Sequence, residues 1–258
     1  MTERIQIGQV PIDAVDLQGA LAGIGGLIEA GDGGTVFTPN VDHVVLAEGN
    51  ERFRQAYGQV SLSLVDGTPV LWAARLLGKR LPEKVSGSDL VVPLMERAAE
   101  RGWRVFFLGG APGAADTAVV RLKERFPRLN VVGTAAPMID IGGPLEERRT
   151  AAARVAEAKP DLVLVALGSP KQEIFCHETS EVLKPAILVG VGAGIDFIAG
   201  LSKRAPAWMS RAGVEWLYRL AHEPRRLAGR YLLRDPQFFT ILLRQWMRRP
   251  SARIGSAG

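Results

Sequence analysis

Cysteine is almost absent from this 258-residue chain. Cys176 stands alone, so it can form neither an internal disulfide nor a thiolate metal site, which suits a reducing compartment. The three histidines, His43, His177 and His222, share no metal-ligand spacing, and neither C-x-x-C nor H-E-x-x-H occurs. There is no G-x-S-x-G elbow for a serine hydrolase, no lysine-bearing Walker loop, no spaced dinucleotide fingerprint and no D-x-D pair to hold a divalent ion. Metal-free chemistry without a cofactor is the expectation. Long apolar runs are also missing. The most apolar stretch, AILVGVGAGIDFIAG (186–200), carries Asp196 and four glycines, and it is shorter than the roughly 20 residues a membrane-spanning helix needs. The opening MTERIQIGQVPID has no uninterrupted apolar core, so no secretory signal is expected.

Hydrophobic residues make up 47% of the chain and charged ones 23%, enough for a sizeable core and against wholesale disorder. Charge is unevenly placed. Residues 201–258 hold 12 Lys/Arg against three acids, whereas residues 1–200 hold 20 basic and 24 acidic side chains. A mildly acidic body with a strongly basic tail suggests a polyanionic partner, either nucleic acid or an anionic membrane surface.

Strand-length apolar runs alternate with helical stretches. RIQIG (4–8) precedes a helix near 16–30, and TVFT (35–38) leads into a helical VDHVVLAEGNERFRQAY. SLSLVD (61–66) leads into PVLWAARLLG, and RVFFLGG (104–110) into AADTAVVRLKERF. NVVGTA (130–135), DLVLVALG (161–168) and AILVGVG (186–192) complete the series. This alternation predicts an α/β fold, a mostly parallel Rossmann-like sheet with helices on both faces. Past residue 200 no strand-like run remains. The chain reads as a helical appendage divided at Pro224 and Pro236, with Phe238, Phe239, Leu242 and Trp246 at helical spacings beside arginines. The expected division is a catalytic unit over 1–200 and an appendage over 201–258.

Ligands of such sheets bind at the carboxyl ends of the strands, and several strand ends carry polar chemistry. Thr38 and Asn40 end TVFT, where Asn40 is either a helix cap or a pocket residue. Asp66 ends SLSLVD, as a turn residue or as a carboxylate of the site. Gly109, Gly110 and Gly113 form a loop that either cradles phosphate or permits tight packing. Gln172 in GSPKQE can bind sugar hydroxyls as donor and acceptor, and Asp196 can hold ribose hydroxyls. In RLPEKVSGSDLV, Lys84 can neutralise a diphosphate, while Ser88 or Asp89 either caps the next helix or lines the site.

The ordered set TPNVD (38–42), VDGTP (65–69), LPEKVSGSDL (81–90), FLGG (107–110), GSPKQE (168–173) and GVGAGID (190–196) resembles the WecG/TagA/CpsF family of bacterial glycosyltransferases, glycosyltransferase family 26, over about residues 5–230. The resemblance implies inverting transfer of a sugar from a UDP-sugar onto a saccharide carried by undecaprenyl diphosphate, without metal. It implies a peripheral protein of the cytoplasmic face of the bacterial plasma membrane, docked through 201–258, with a homo-oligomer possible and no nucleic-acid partner. By the same resemblance Asp66 is the catalytic base. Thr38, Asn40, Lys84, Asp89 and Gln172 bind substrate, and Gly109, Gly110 and Asp196 bind UDP. Two positions depart from the pattern. Lys84 stands where the family usually has Arg, which loses the bidentate fork, and Pro137-Met138-Ile139 stands where Gly-Tyr-Phe is frequent. The rival readings are a dinucleotide-dependent oxidoreductase, suggested by the glycine-rich strand ends, and a nucleic-acid binder, suggested by the tail.

Overall fold

A computed structural model describes residues 3–203, 205–206, 208–209, 213–222 and 224–248. The chain opens with an antiparallel hairpin, β1 (Arg4–Ile7) and β2 (Val10–Asp13). The first helix, α1 (Leu17–Ala30), is capped by Asp16, whose carboxylate accepts from the Gly19 amide, and ends on left-handed Gly31. β3 (Gly34–Phe37) follows. The predicted helix over 41–57 is broken into α2 (Val41–Gly49) and α3 (Glu51–Gly58) at Asn50, which closes the first and caps the second by accepting from the Phe53 amide. β4 (Leu62–Ser63) is short, and α4 (Thr68–Leu76) and α5 (Gly87–Arg101) lead to β5 (Arg104–Gly109). Then come α6 (Ala114–Arg125), β6 (Asn130–Ala135), α7 (Leu145–Ala156), β7 (Leu162–Ala166), α8 (Lys171–Leu183), β8 (Ile187–Gly190) and α9 (Gly194–Ala199).

The six strands β3 to β8 form one parallel sheet in the order β4-β3-β8-β7-β5-β6. Its central strands are buried on both faces, as their unbroken apolar sequences require. Alternate side chains serve opposite layers. Phe37, Leu108, Val163, Val165 and Leu188 join one apolar cluster; Val36, Phe107, Leu162, Leu164 and Val189 join the other. Every carboxyl end therefore points to the same edge, where the loops carrying the sequence motifs collect.

The carboxy-terminal segment contains α10 (Glu215–His222), α11 (Pro224–Gly229), a π-helical turn (Arg230–Arg234) and α12 (Gln237–Met247). Pro224 and Pro236 stand at the helix starts, where a missing N–H costs nothing. One face of α12 is packed into the body. Phe238, Ile241 and Leu242 are buried in the same cluster as β1, β2 and α2, and burial of each is worth about 1.5–3 kcal/mol. On the same face, the Gln245 amide accepts from Gly8 N–H at 2.9 Å and donates to Gln6 O at 2.9 Å. The opposite face of α12 stays open, with Phe239 73% exposed and Leu243, Trp246 and Met247 beside it; Leu233 on the preceding turn is 77% exposed. Among the described residues no helix is long and apolar enough to cross a membrane.

Candidate active site

A cavity of about 710 Å³ opens over the carboxyl edge of the sheet. Its walls include Thr38 and Asn40 after β3, Asp66 after β4, Gly110 after β5, Gln172 at the start of α8 and Asp196 in α9. Six residues singled out in the sequence thus share one cleft. The carboxy-terminal segment supplies further wall, with Tyr218, Arg219 and His222 from α10 and Arg230 from the π-helical turn.

Asp66 is placed by the backbone. The parallel ladder runs past β4, with Leu64 N–H donating to Phe37 O and Asp66 N–H donating to Pro39 O, each at 2.8 Å. Two motif loops, TPN and VDG, are thereby locked together. Gly67, at φ +99°, turns the chain into α4, so Asp66-Gly67 forms a turn while Asp66 lines the cavity. Burial pushes the Asp66 carboxyl up to about 6; Lys84 and Arg219 pull it down, and Glu215 and Asp89 push it up.

Lys84 stands just off the cavity wall. Its ammonium lies 3.5 Å from Asp89 and 3.6 Å from Glu215. Burial opposes its charge, but Asp66, Asp89 and Glu215 outweigh that and raise its pKa. Asp89 faces a neighbouring cavity of about 370 Å³ with Arg121 and Arg125. The cap of α5 is neither Ser88 nor Asp89 but Ser86, whose hydroxyl accepts from the Asp89 amide at 3.1 Å and donates to the Asp89 carboxylate at 2.6 Å.

The glycine loop is closely packed. Gly109 is off the cavity wall, and a Cβ there would lie 2.5 Å from the Ala166 carbonyl oxygen. The Gly110 amide already donates to Ala166 O at 2.8 Å, and the Ala111 amide donates to Asp196 at 2.9 Å. These two amides are thus paired within the protein. Asp196 is a tie between α9 and this loop as well as a wall residue.

Gln172 is buried and held at both ends of its amide. Its Nε2 donates to Glu173 at 2.9 Å and its Oε1 accepts from Gly192 N–H at 3.0 Å. A side chain at Gly190 would collide with it.

Asn40 is both cap and wall, accepting from the His43 amide at 3.4 Å and from Arg230 at 3.1 Å. Arg230 also stands 3.4 Å from buried Asp42 and 3.7 Å from Asp235, and Arg234 stands 3.3 Å from Asp42. Despite Arg230, burial pushes the Asp235 carboxyl up to about 6.

Several wall residues are given no role by sequence reasoning, among them His43, Glu173 and Arg230. His43 bonds the Tyr57 hydroxyl at 2.6 Å, and burial, aided by Arg230, drives its pKa down to about 3, so it is neutral. Glu173 is fully buried, and burial pushes its carboxyl up to about 7. Arg230 lies too far along the chain to pair with TPNVD by any local pattern.

The arrangement offers a carboxylate of raised basicity, cationic side chains near it, and a neutral polar floor. That combination can remove a proton from a hydroxyl while stabilising a leaving group with growing negative charge. Comparison with known proteins identifies the family. The chain is 32% identical over 217 residues to an N-acetylglucosaminyldiphosphoundecaprenol N-acetyl-beta-D-mannosaminyltransferase of Bacillus spizizenii (strain ATCC 23059 / NRRL B-14472 / W23), covering 84% of this chain and 81% of that protein. It is 29% identical over 213 residues to a protein of the same name from Bacillus subtilis (strain 168), covering 83% and 80%. A family model, the glycosyl transferase WecG/TagA/CpsF family, matches residues 5–252. With nearly its whole length matched, the chain belongs to the WecG/TagA/CpsF family of glycosyl transferases.

Proposed function

We propose that the protein moves a hexose, an N-acetylhexosamine by analogy with its relatives, from a UDP-sugar to a saccharide carried on a polyprenyl diphosphate. The observation that supports this best is Asp66 on the cavity wall, influenced electrostatically by both Lys84 and Arg219. In a single inverting displacement an acceptor hydroxyl oxygen bonds to the anomeric carbon. The bond from that carbon to the UDP oxygen breaks, its electron pair leaves with UDP, and the hydroxyl proton passes to Asp66. Arg219, Arg230 and Lys84 supply the countercharge for the departing diphosphate. These cations fill the role a divalent ion plays elsewhere, so turnover is expected to survive EDTA.

The lipid-borne acceptor keeps the reaction at a bilayer. The open face of α12, with Phe239, Leu243 and Trp246 beside Arg244 and Arg248, suits insertion at an anionic interface. We place the protein peripherally on the cytoplasmic face of the plasma membrane. The test is a panel of UDP-sugars against short lipid-diphosphate acceptors, with and without EDTA. Asp66→Asn is expected to abolish transfer and spare UDP binding; an active variant removes Asp66 from the mechanism.

A further inference from the structure

The floor of the cleft holds a polar pair that the protein itself leaves incomplete. Glu173 is fully buried and lines the cavity. Its Oε1 accepts from Gln172, but its Oε2 has no hydrogen-bond partner among the described residues, and neither has the hydroxyl of Ser169 on the same wall. The Ser169 hydroxyl lies close enough to Glu173 to favour its charged form, but the two are not aligned as a hydrogen bond. The other buried oxygens in this region that lack a hydrogen bond face cations, Asp42 between Arg230 and Arg234 and Asp235 beside Arg230. Glu173 has no ion-pair partner among the described residues. A half-bonded buried carboxyl is costly, and one retained on the floor of a binding cleft points to a partner that arrives with the ligand.

The chemistry of that partner follows from the surroundings. Thr38, Asn40 and Gln172 are neutral, and a carboxyl repels phosphate. The diphosphate is therefore turned toward the arginines, and the portion of a sugar nucleotide left for this floor is the one rich in O–H and N–H groups. We infer that Glu173 and Ser169 form the subsite for the transferred hexose, with Glu173 Oε2 hydrogen-bonding a ring hydroxyl or the acetamido N–H. The inference rests on the glycosyltransferase reading and extends it to the sugar. Because burial holds the carboxyl near neutrality, with a pKa of about 7, Oε2 serves either as acceptor or as donor.

Calorimetric titration of UDP and of UDP-N-acetylhexosamine into the full chain tests this. In Glu173→Met, UDP affinity is expected to stay within about twofold while the sugar nucleotide weakens about tenfold or more. Glu173→Gln keeps the volume and the bond from Gln172, so it secures a folded variant, and it is expected to fall between. A series of donors each lacking one hydroxyl or the acetyl group should include one that loses about tenfold on the wild type and much less on Glu173→Met. Equal loss of UDP and sugar nucleotide, or wild-type affinity for both in the variants, overturns the subsite. Failure of the wild-type protein to bind UDP at all overturns the donor reading first, and the subsite with it.

Discussion

Arg230 donates from Nη2 to Asn40 Oδ1 at 3.1 Å, joining the carboxy-terminal helical segment to the cap of α2 across 190 positions of sequence. The same guanidinium faces Asp42 and Asp235. One side chain thus closes the cleft and compensates two buried acids.

Arg230→Ala is expected to destabilise the fold by about 2–4 kcal/mol, because Asp42 and Asp235 lose a shared cation in a dry site. Adding Asp42→Asn in the same background should recover much of that loss. Transfer activity should remain lost, since the cation on the cavity wall is still missing. Chemical denaturation and a transfer assay on the four proteins of the cycle measure both effects.

Asp66→Asn should make the protein more stable as well as inactive. The folded pKa of Asp66, about 6, lies above its ordinary value. The folded state therefore binds this proton more tightly, and the ionised group costs stability once pH rises through about 6. Asn mimics the protonated form, so the variant should gain about 1–3 kcal/mol at pH 8, with the gain fading toward pH 4. Turnover should fall about 10²–10⁴-fold. Melting curves across pH read the first effect and steady-state rates the second.

The acid limb of the pH–rate profile should fall below about pH 6 as Asp66 takes up its proton. Lys84 holds that pKa down, so Lys84→Met should move the limb to higher pH. Glu215 holds it up, so Glu215→Gln should move it to lower pH. Profiles of kcat/KM for the three proteins carry the sign of each shift.

The two faces of α12 should respond differently. Leu242→Ala, on the packed face, is expected to cost about 2–5 kcal/mol. Phe239→Ser with Trp246→Ser, on the open face, should leave stability within about 1 kcal/mol. The double change should instead reduce sedimentation with anionic vesicles and slow transfer to membrane-embedded acceptor, while short soluble acceptors are used at the normal rate.

Much of the cleft was legible in sequence because strand ends announce themselves. Apolar runs that stop at Thr38, Asp66 and Gly110 must deliver those residues to one edge of a parallel sheet, and all three line the cavity. What was not legible depends on packing between distant segments. Glu173 reads as a polar first helical turn until α8 is seen buried along that side. Gly109 reads equally as a phosphate-loop or a packing glycine, and only the fold shows Ala166 against it. Ser88 and Asp89 look like caps because capping preference is local, whereas the helix starts earlier, at Ser86, with Gly87 packed against the Val191 backbone. The hairpin strand β2 is disguised by Pro11, and β4 is short although its ladder bonds continue to the Asp66 amide. The break at Asn50 is passed over by the single-helix reading of 41–57, although Asn50 is the cap of the second helix.

The grip of Gln245 on both sides of the β1–β2 turn ties the hairpin to α12 across 237 positions of sequence. A load placed on the open face of α12, such as a bilayer pressing against Phe239, would pass through that amide into the hairpin and the core beneath it.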